Sequence, residues 1–159
     1  MNQPTVPDII AWKRDGHAFD EPMIQRFIEG LLRGDVAPEQ VGAWLMACQI
    51  NGLTAEETAL LTKHMATSGA TFTPSPGRVD KHSTGGVGDK MSLILAPCLA
   101  ATGLVVPMLA GRGLAHTGGT IDKLEAIPGF NTGLSLDEMR TNPCFISRQT
   151  EGIAPVDRI

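Results

Sequence analysis

The sequence predicts an α/β protein in which a small all-α amino-terminal domain precedes the first strands and helices of a larger α/β domain. Apolar residues recur at helical spacing up to about residue 66, whereas a strand, a glycine-rich loop and a helix follow one another repeatedly after residue 79. A segment rich in Thr, Pro and Ser separates the two patterns. We therefore expect a helical domain over 1–66, a linker or hinge over 67–79 and a partial α/β domain over 80–159.

Start and stop signals bound the helices of the first domain. Asp20 with Pro22 opens one helix that Gly34 closes, and Thr54 with Glu57 forms a capping box that opens another. The predicted helices lie at about 9–14, 20–34, 38–51 and 54–68. The side chains expected to face the core are Met23, Phe27, Ile28, Leu31, Leu32, Val41, Trp44, Leu45, Cys48, Leu60, Leu61 and Met65.

The second domain is predicted to form a parallel sheet with helical connections. Val79 leads into a first glycine-rich loop, and a helix begins near Asp89. The later predicted elements are a strand at 104–109, a short helix ending near 126, a helix capped by Ser135 and Glu138, and a strand at 144–148.

The composition excludes several classes of partner. The net charge is −4, no dense Lys/Arg cluster occurs, and aromatic residues make up only 4% of the chain. Neither a nucleic-acid surface nor attraction to an anionic membrane is therefore expected. Residues 91–111 carry no charge, but Pro97, Gly103 and Pro107 interrupt them, which favours a buried helix and a strand over a membrane span.

The cysteines and the amino terminus indicate a cytoplasmic protein. Cys48, Cys98 and Cys144 are too widely spaced for a disulfide framework or a typical zinc site, so we expect ordinary buried thiols in a reducing compartment. Charged residues such as Asp8 and Lys13 stand where a secretory signal would need an apolar stretch.

The first glycine-rich loop, residues 81–89, has the composition of an anion-binding site. Its three glycines allow several backbone N–H groups to point at one place, and a helix follows directly. Lys81 supplies a positive charge, and Ser83 and Ser92 supply hydroxyl donors. The spacing is not that of a Walker A loop. Phosphate is the expected occupant, and the alternative is a strand-to-helix turn that binds no ligand.

The second glycine-rich loop, residues 111–120, also joins a strand to a helix. Ligands of open α/β sheets bind at the carboxyl edge, so we expect both loops to meet there. Thr120 can donate to the same anion. Arg112 has two alternatives, because it either binds the anion or pairs with Asp122 or Glu125.

Two of the four histidines are candidates for ligand contacts. His82 lies inside the first loop, where a protonated imidazole can donate to a ligand. His116 either packs the second loop or touches a ligand, whereas His17 and His64 are expected at helix ends or in the core. The spacing of His, Cys and carboxylate residues suggests no metal site, and no nucleophile–base pair is recognisable.

The two loops together resemble those of the thymidine phosphorylase and pyrimidine-nucleoside phosphorylase family. Residues 80–89 and 111–129 are similar to the two glycine-rich motifs of that family almost residue for residue, and Asp15-Gly16-His17 resembles its amino-terminal helix. The resemblance implies a small α domain and a larger α/β domain, separated by a cleft that closes by hinge motion, in a homodimer.

The resemblance also implies the reaction and its residues. Phosphate attacks C1′ of thymidine, and thymine and 2-deoxyribose 1-phosphate are formed without a cofactor. By resemblance, Lys81, Ser83, Ser92 and Thr120 hold phosphate, and His82 is the catalytic contact to the pyrimidine. Arg112 and His116 are further possible ligand contacts. The expected partners are therefore a nucleoside, phosphate and a second copy of the chain.

Several positions depart from the family pattern. Ala110 replaces a usual phosphate-binding Ser, Ala115 replaces a usual Gly, and Lys90 occupies a position where bacterial pyrimidine-nucleoside phosphorylases use a Thr to help bind potassium. The chain matches the amino-terminal portion of the family's usual length, so we expect the residues that grip the pyrimidine to lie beyond Ile159 and only the phosphate half-site to be present. The alternatives are a broader pyrimidine-nucleoside phosphorylase and a truncated, non-catalytic paralogue that binds anions or partners.

Overall fold

Two compact units are present in the computed structural model, which describes residues 4–81, 89–113 and 116–158. One unit comprises Met1–Thr71 with Glu151–Ile159, and the other comprises Phe72–Thr150. This division differs from the expected boundaries at two places. Residues 72–79, expected in the linker, are part of the second unit, and residues 151–159, expected in the α/β domain, are part of the first.

The first unit is helical, as predicted. Its helices are α1 (Val6–Arg14), α2 (Glu21–Arg33), α3 (Pro38–Asn51) and α4 (Ala55–Ala66), and a 3₁₀ turn follows much later at Pro155–Arg158. Capping explains three of the starts, because the side chains of Thr5, Asp20 and Thr54 each accept a hydrogen bond from a backbone N–H in the first turn.

Aromatic stacking organises the core of the helical unit. The Trp44 ring stacks between those of Phe27 and Phe19, with centroid distances of 4.6 and 5.6 Å. Leu32 and Leu45 were expected in this core, but they are 44% and 55% exposed. Each follows a residue that is buried, and one helical step of about 100° turns the next side chain out of the packed face.

The carboxyl-terminal residues pack onto the helical unit through a close backbone approach. The Ala70 N–H donates to the Gly152 carbonyl at 2.7 Å. A Cβ on Gly69 would lie 2.2 Å from the Ile153 carbonyl oxygen, so only glycine fits there. Val156 then joins the apolar core of the unit. The contact is between segments far apart in sequence, which explains why local patterns did not predict it.

The second unit is an α/β layer with the predicted parallel pairing. Strand β1 (Val106–Ala110) pairs with β2 (Cys144–Arg148) in register from Val106–Cys144 to Ala110–Arg148, and Arg78 forms a parallel bridge to Val105 on the other side. The helices are α5 (Met91–Ala101), α6 (Thr120–Glu125) and α7 (Leu136–Thr141). The core of this unit contains Ala96, Val106, Met108, Ile121, Leu124 and Ile146.

The uncharged segment 91–111 is divided between α5 and β1, as the sequence predicted. In the described part of the chain, no helix has the length and apolar character needed to cross a bilayer. The expectation of buried thiols is wrong for Cys98, which is exposed, while Cys48 and Cys144 are half-buried. Cys98 lies on the outer face of α5, which accounts for its exposure. The sequence did not predict this, because an apolar run alone does not specify which of its residues face the core.

Candidate anion site

Four polar side chains converge where α5 begins and where the second glycine-rich loop enters α6. Lys81 precedes α5, Asp89 lies just before it, Ser92 is in its first turn, and Thr120 is the first residue of α6. Ser92 is fully buried and Thr120 is 6% exposed. We call these four residues the Asp89 cluster.

The Asp89 carboxylate is the acceptor at the centre of this cluster. The Lys81 ammonium donates to Asp89 Oδ1 at 2.5 Å and to Ser92 Oγ at 3.1 Å. The Ser92 hydroxyl donates to Asp89 Oδ2, and the Thr120 hydroxyl donates to the same oxygen at 3.5 Å. The Ser92 N–H also donates to Asp89 Oδ1 at 3.3 Å. One carboxylate therefore accepts hydrogen bonds from residues near the start of α5 and from the first residue of α6.

These contacts keep Asp89 ionised. Burial alone would raise the pKa of its carboxyl, but the Lys81 ammonium and the two donors of Ser92 outweigh it and hold the pKa at about 2. Near neutral pH the cluster therefore contains one carboxylate paired with one ammonium. Its hydroxyl and ammonium donors are the groups that bind an anion in proteins.

The structure brings together three of the residues predicted to hold phosphate, which are Lys81, Ser92 and Thr120. His82 and Ser83, the other predicted residues of the first loop, lie outside the described residues, as does Ala115. His116 is exposed. Sequence reasoning gave Asp89 no role, although its position three residues before Ser92 is the spacing of a helix-capping carboxylate.

Asp122 holds the second glycine-rich loop closed. Its Oδ2 accepts hydrogen bonds from the Gly113 N–H at 2.7 Å and from the Gly119 N–H at 2.8 Å. These backbone donors lower the pKa of the Asp122 carboxyl from its usual value. The carboxylate thereby ties Gly113 to Gly119, the residue directly before Thr120.

Arg112 takes the ion-pair alternative of the two that the sequence left open. Its guanidinium donates to both carboxylate oxygens of Glu125, at 2.7 and 2.8 Å, and to Asp122 at 3.1 Å. Thr132 adds a hydroxyl donor to Glu125 at 2.7 Å. Arg112 is thus bound to two carboxylates of α6.

Across the described ranges, no group of three or more His, Cys, Asp or Glu side chains is arranged to hold a metal ion.

The close packing of this loop makes a sharp prediction for two neighbouring glycines. A Cβ on Gly119 would lie 2.4 Å from the Gly113 nitrogen, whereas a Cβ on Gly118 would meet nothing within 4 Å. We expect Gly119→Ala to destabilise the protein by about 3 kcal/mol, because backbone atoms must move to admit the methyl group. Thermal unfolding followed by circular dichroism measures this effect.

Gly118→Ala is the matched control for that substitution, and its melting temperature should stay close to that of the unmodified protein. Amide hydrogen exchange at Gly113 supplies an independent readout, because its N–H should lose protection only in the Gly119 variant. Equal melting temperatures for the two variants would contradict the packing described here.

Comparison with known proteins gives a consistent family. The helical bundle domain of a glycosyl transferase family matches residues 7–69, and the a/b domain of a glycosyl transferase family matches residues 75–146. Thymidine phosphorylase from Homo sapiens is 48% identical over 97% of this chain and 34% of its own length. Pyrimidine-nucleoside phosphorylase from Geobacillus stearothermophilus is 46% identical over 95% of this chain and 36% of its own length.

The solved structures support the fold. Anthranilate phosphoribosyltransferase from Thermus thermophilus superposes with a TM-score of 0.65 at 19% identity, over 95% of this chain and 48% of that chain. An identity this low indicates a shared fold and nothing about substrate. The chain spans about a third of the length of the curated phosphorylases that it matches.

Proposed function

The chain belongs to this glycosyl transferase family, and from that premise we propose that it carries the phosphate-binding part of a nucleoside phosphorylase acting on thymidine. The observation that carries the proposal is the Asp89 cluster. The donors Lys81 from the first loop, Ser92 from the first turn of α5 and Thr120 from the end of the second loop lie around one anionic group. A site that gathers donors around a carboxylate has the chemistry needed to hold a phosphate.

The proposed reaction is phosphorolysis. An oxygen of phosphate forms a bond to C1′ of the deoxyribose while the C1′–N bond breaks, and its electron pair leaves with thymine. Lys81, Ser83, Ser92 and Thr120 would orient phosphate, and His82 would donate a hydrogen bond to the departing pyrimidine. Phosphate is a co-substrate here and no cofactor takes part. Positioning and electrostatic stabilisation of the oxocarbenium-like centre would supply most of the rate.

The preference for thymidine over other pyrimidine nucleosides is the finer part of the proposal. The relatives include enzymes named for thymidine and for pyrimidine nucleosides generally, at 48% and 46% identity. Lys90 favours the thymidine branch, because an ammonium group there would repel the potassium ion that the resemblance associates with the broader enzymes. Ala110, at the carboxyl end of β1, favours weaker phosphate binding than a serine would give.

We also propose that two copies of the chain associate through the helical unit. Met46 and Ile50 lie four residues apart on α3 and are 57% and 73% exposed, and Leu45 beside them is 55% exposed. Exposed apolar side chains grouped in this way are typical of a protein–protein interface. Sedimentation equilibrium measures the association directly, and a monomer at all concentrations would contradict it.

Calorimetric titration of the 159-residue chain with inorganic phosphate tests the proposed function. We expect saturable binding to one site, with chloride at equal ionic strength as the control. Release of thymine from thymidine, measured with uridine in parallel, then tests the reaction and its preference. Phosphate binding without release of either base would favour the anion-binding alternative, and an absence of phosphate binding would overturn the proposal.

A further inference from the structure

In the Asp89 cluster, the Asp89 carboxylate and a bound phosphate would compete for the same hydroxyl hydrogens. A serine or threonine hydroxyl carries a single hydrogen. The Ser92 hydrogen is donated to Asp89 Oδ2, and the Thr120 hydroxyl is directed at the same oxygen. Both side chains are almost entirely buried. Neither hydroxyl can therefore donate to a phosphate oxygen while it donates to Asp89.

We propose that Asp89 is an internal stand-in for phosphate, which occupies the donors of the site when phosphate is absent and must give them up when phosphate binds. This inference rests on the proposed function, because it takes phosphate as the ligand of Lys81, Ser92 and Thr120. It assigns Asp89 the role of setting phosphate affinity. Asp89 does not itself bind the ligand.

The charges of the cluster support the same inference. Lys81 is the cation that faces Asp89, and their side-chain atoms meet at 2.5 Å. The carboxylate neutralises the ammonium that phosphate would otherwise find unpaired. It also places a negative charge beside the position that an anionic ligand would take, and two like charges in a partly buried site repel each other.

Helix capping accounts for only one of the contacts. The Ser92 N–H donates to Asp89 Oδ1, as it would to any capping carboxylate. Capping does not explain why the Lys81 ammonium, eight residues before Asp89, and the Thr120 hydroxyl, 31 residues after it, converge on the same side chain. A substitution that preserves the cap and removes the charge separates these two roles.

Asp89→Asn is that substitution. The asparagine amide keeps one acceptor oxygen for the Ser92 N–H. It releases the hydroxyl groups of Ser92 and Thr120 from the carboxylate and leaves the Lys81 ammonium without a counter-charge. We expect the dissociation constant for inorganic phosphate, measured by calorimetry on the full chain, to fall roughly tenfold. Asp89→Ser, which retains an uncharged capping oxygen, is the second variant should the first fold poorly.

Asp20→Asn is the matched control, because Asp20 caps α2 in the helical unit by accepting the Met23 N–H at 2.9 Å. Its phosphate affinity should equal that of the unmodified chain. Unchanged or weaker phosphate binding by Asp89→Asn and Asp89→Ser, with binding intact in the unmodified chain, would overturn the stand-in role alone. Absence of phosphate binding in every form would overturn the proposed function and this inference together.

Discussion

Replacing Lys81 with alanine is expected to weaken phosphate binding by roughly 100-fold, since a charge-assisted hydrogen bond and the positive charge of its donor are lost. The effect should exceed that of one lost donor. Lys81 is the ammonium that balances Asp89 at 2.5 Å, so its removal leaves a bare carboxylate facing the incoming anion. Calorimetric titration with inorganic phosphate measures the loss.

Lys90→Ala is the control for this experiment, because Lys90 is an exposed lysine in the same unit and its removal changes the net charge equally. Its phosphate affinity should remain within about twofold of the unmodified chain, as expected for a solvent-screened charge. If Lys81→Ala binds phosphate as tightly as Lys90→Ala, Lys81 does not hold the ligand.

Lys13→Met should destabilise the helical unit by about 3–5 kcal/mol, the usual cost of leaving a buried charge without its partner. Lys13 Nζ lies 2.7 Å from Glu57 Oε1, and the two side chains are only 4% and 1% exposed. Glu57 also accepts the Phe19 N–H at 2.8 Å and the Thr54 N–H at 2.7 Å, so its carboxylate cannot move to water without breaking these bonds. Urea unfolding followed by tryptophan fluorescence reports this unit, because Trp12 and Trp44 both lie in it.

A surface ion pair provides the comparison for Lys13. Lys63 lies 2.7 Å from Glu21 with side chains 62% and 44% exposed, and Lys63→Met should cost less than about 1 kcal/mol. The double variant Lys13→Met/Glu57→Gln should recover part of the lost stability, since the unpaired carboxylate is then removed. A loss for Lys13→Met no larger than that for Lys63→Met would show that the buried pair contributes little.

The stability of the same pair should depend on pH in a defined direction. Burial would raise the pKa of Glu57, but the Lys13 ammonium and the backbone donors lower it from 4.5 to about 2. Because the folded pKa lies below the unfolded one, this contribution is complete above about pH 4.5 and is lost as the pH falls towards 2. The difference in unfolding free energy between the unmodified protein and Lys13→Met should therefore shrink over that range.

Local signals predicted the elements of this fold well because they act within a few residues. Thr54 with Glu57, and Ser135 with Glu138, form capping boxes in the structure at the helix starts where the sequence placed them. Helical periodicity, however, does not specify how wide the packed face is. Leu32 was assigned to the core on spacing alone and lies at its exposed edge.

Contacts between distant parts of the chain were beyond such reasoning. Lys13 and Glu57 are 44 residues apart, and neither has a sequence pattern that marks it as buried. The loops predicted the donors of the candidate site, because a lysine and a serine beside several glycines are an anion-binding composition. The acceptor that those donors meet, Asp89, emerges only when the residues are placed in three dimensions.

The return of residues 151–158 to the helical unit has a consequence for synthesis on the ribosome. The four helices emerge first, so they can begin to fold early. The segment that packs against Gly69 and adds Val156 to their core is synthesised only after residues 72–150 of the other unit. Synthesis of the helical unit therefore starts before that of residues 72–150 and finishes after it, and a nascent chain stalled before residue 151 would lack Val156 in its helical core.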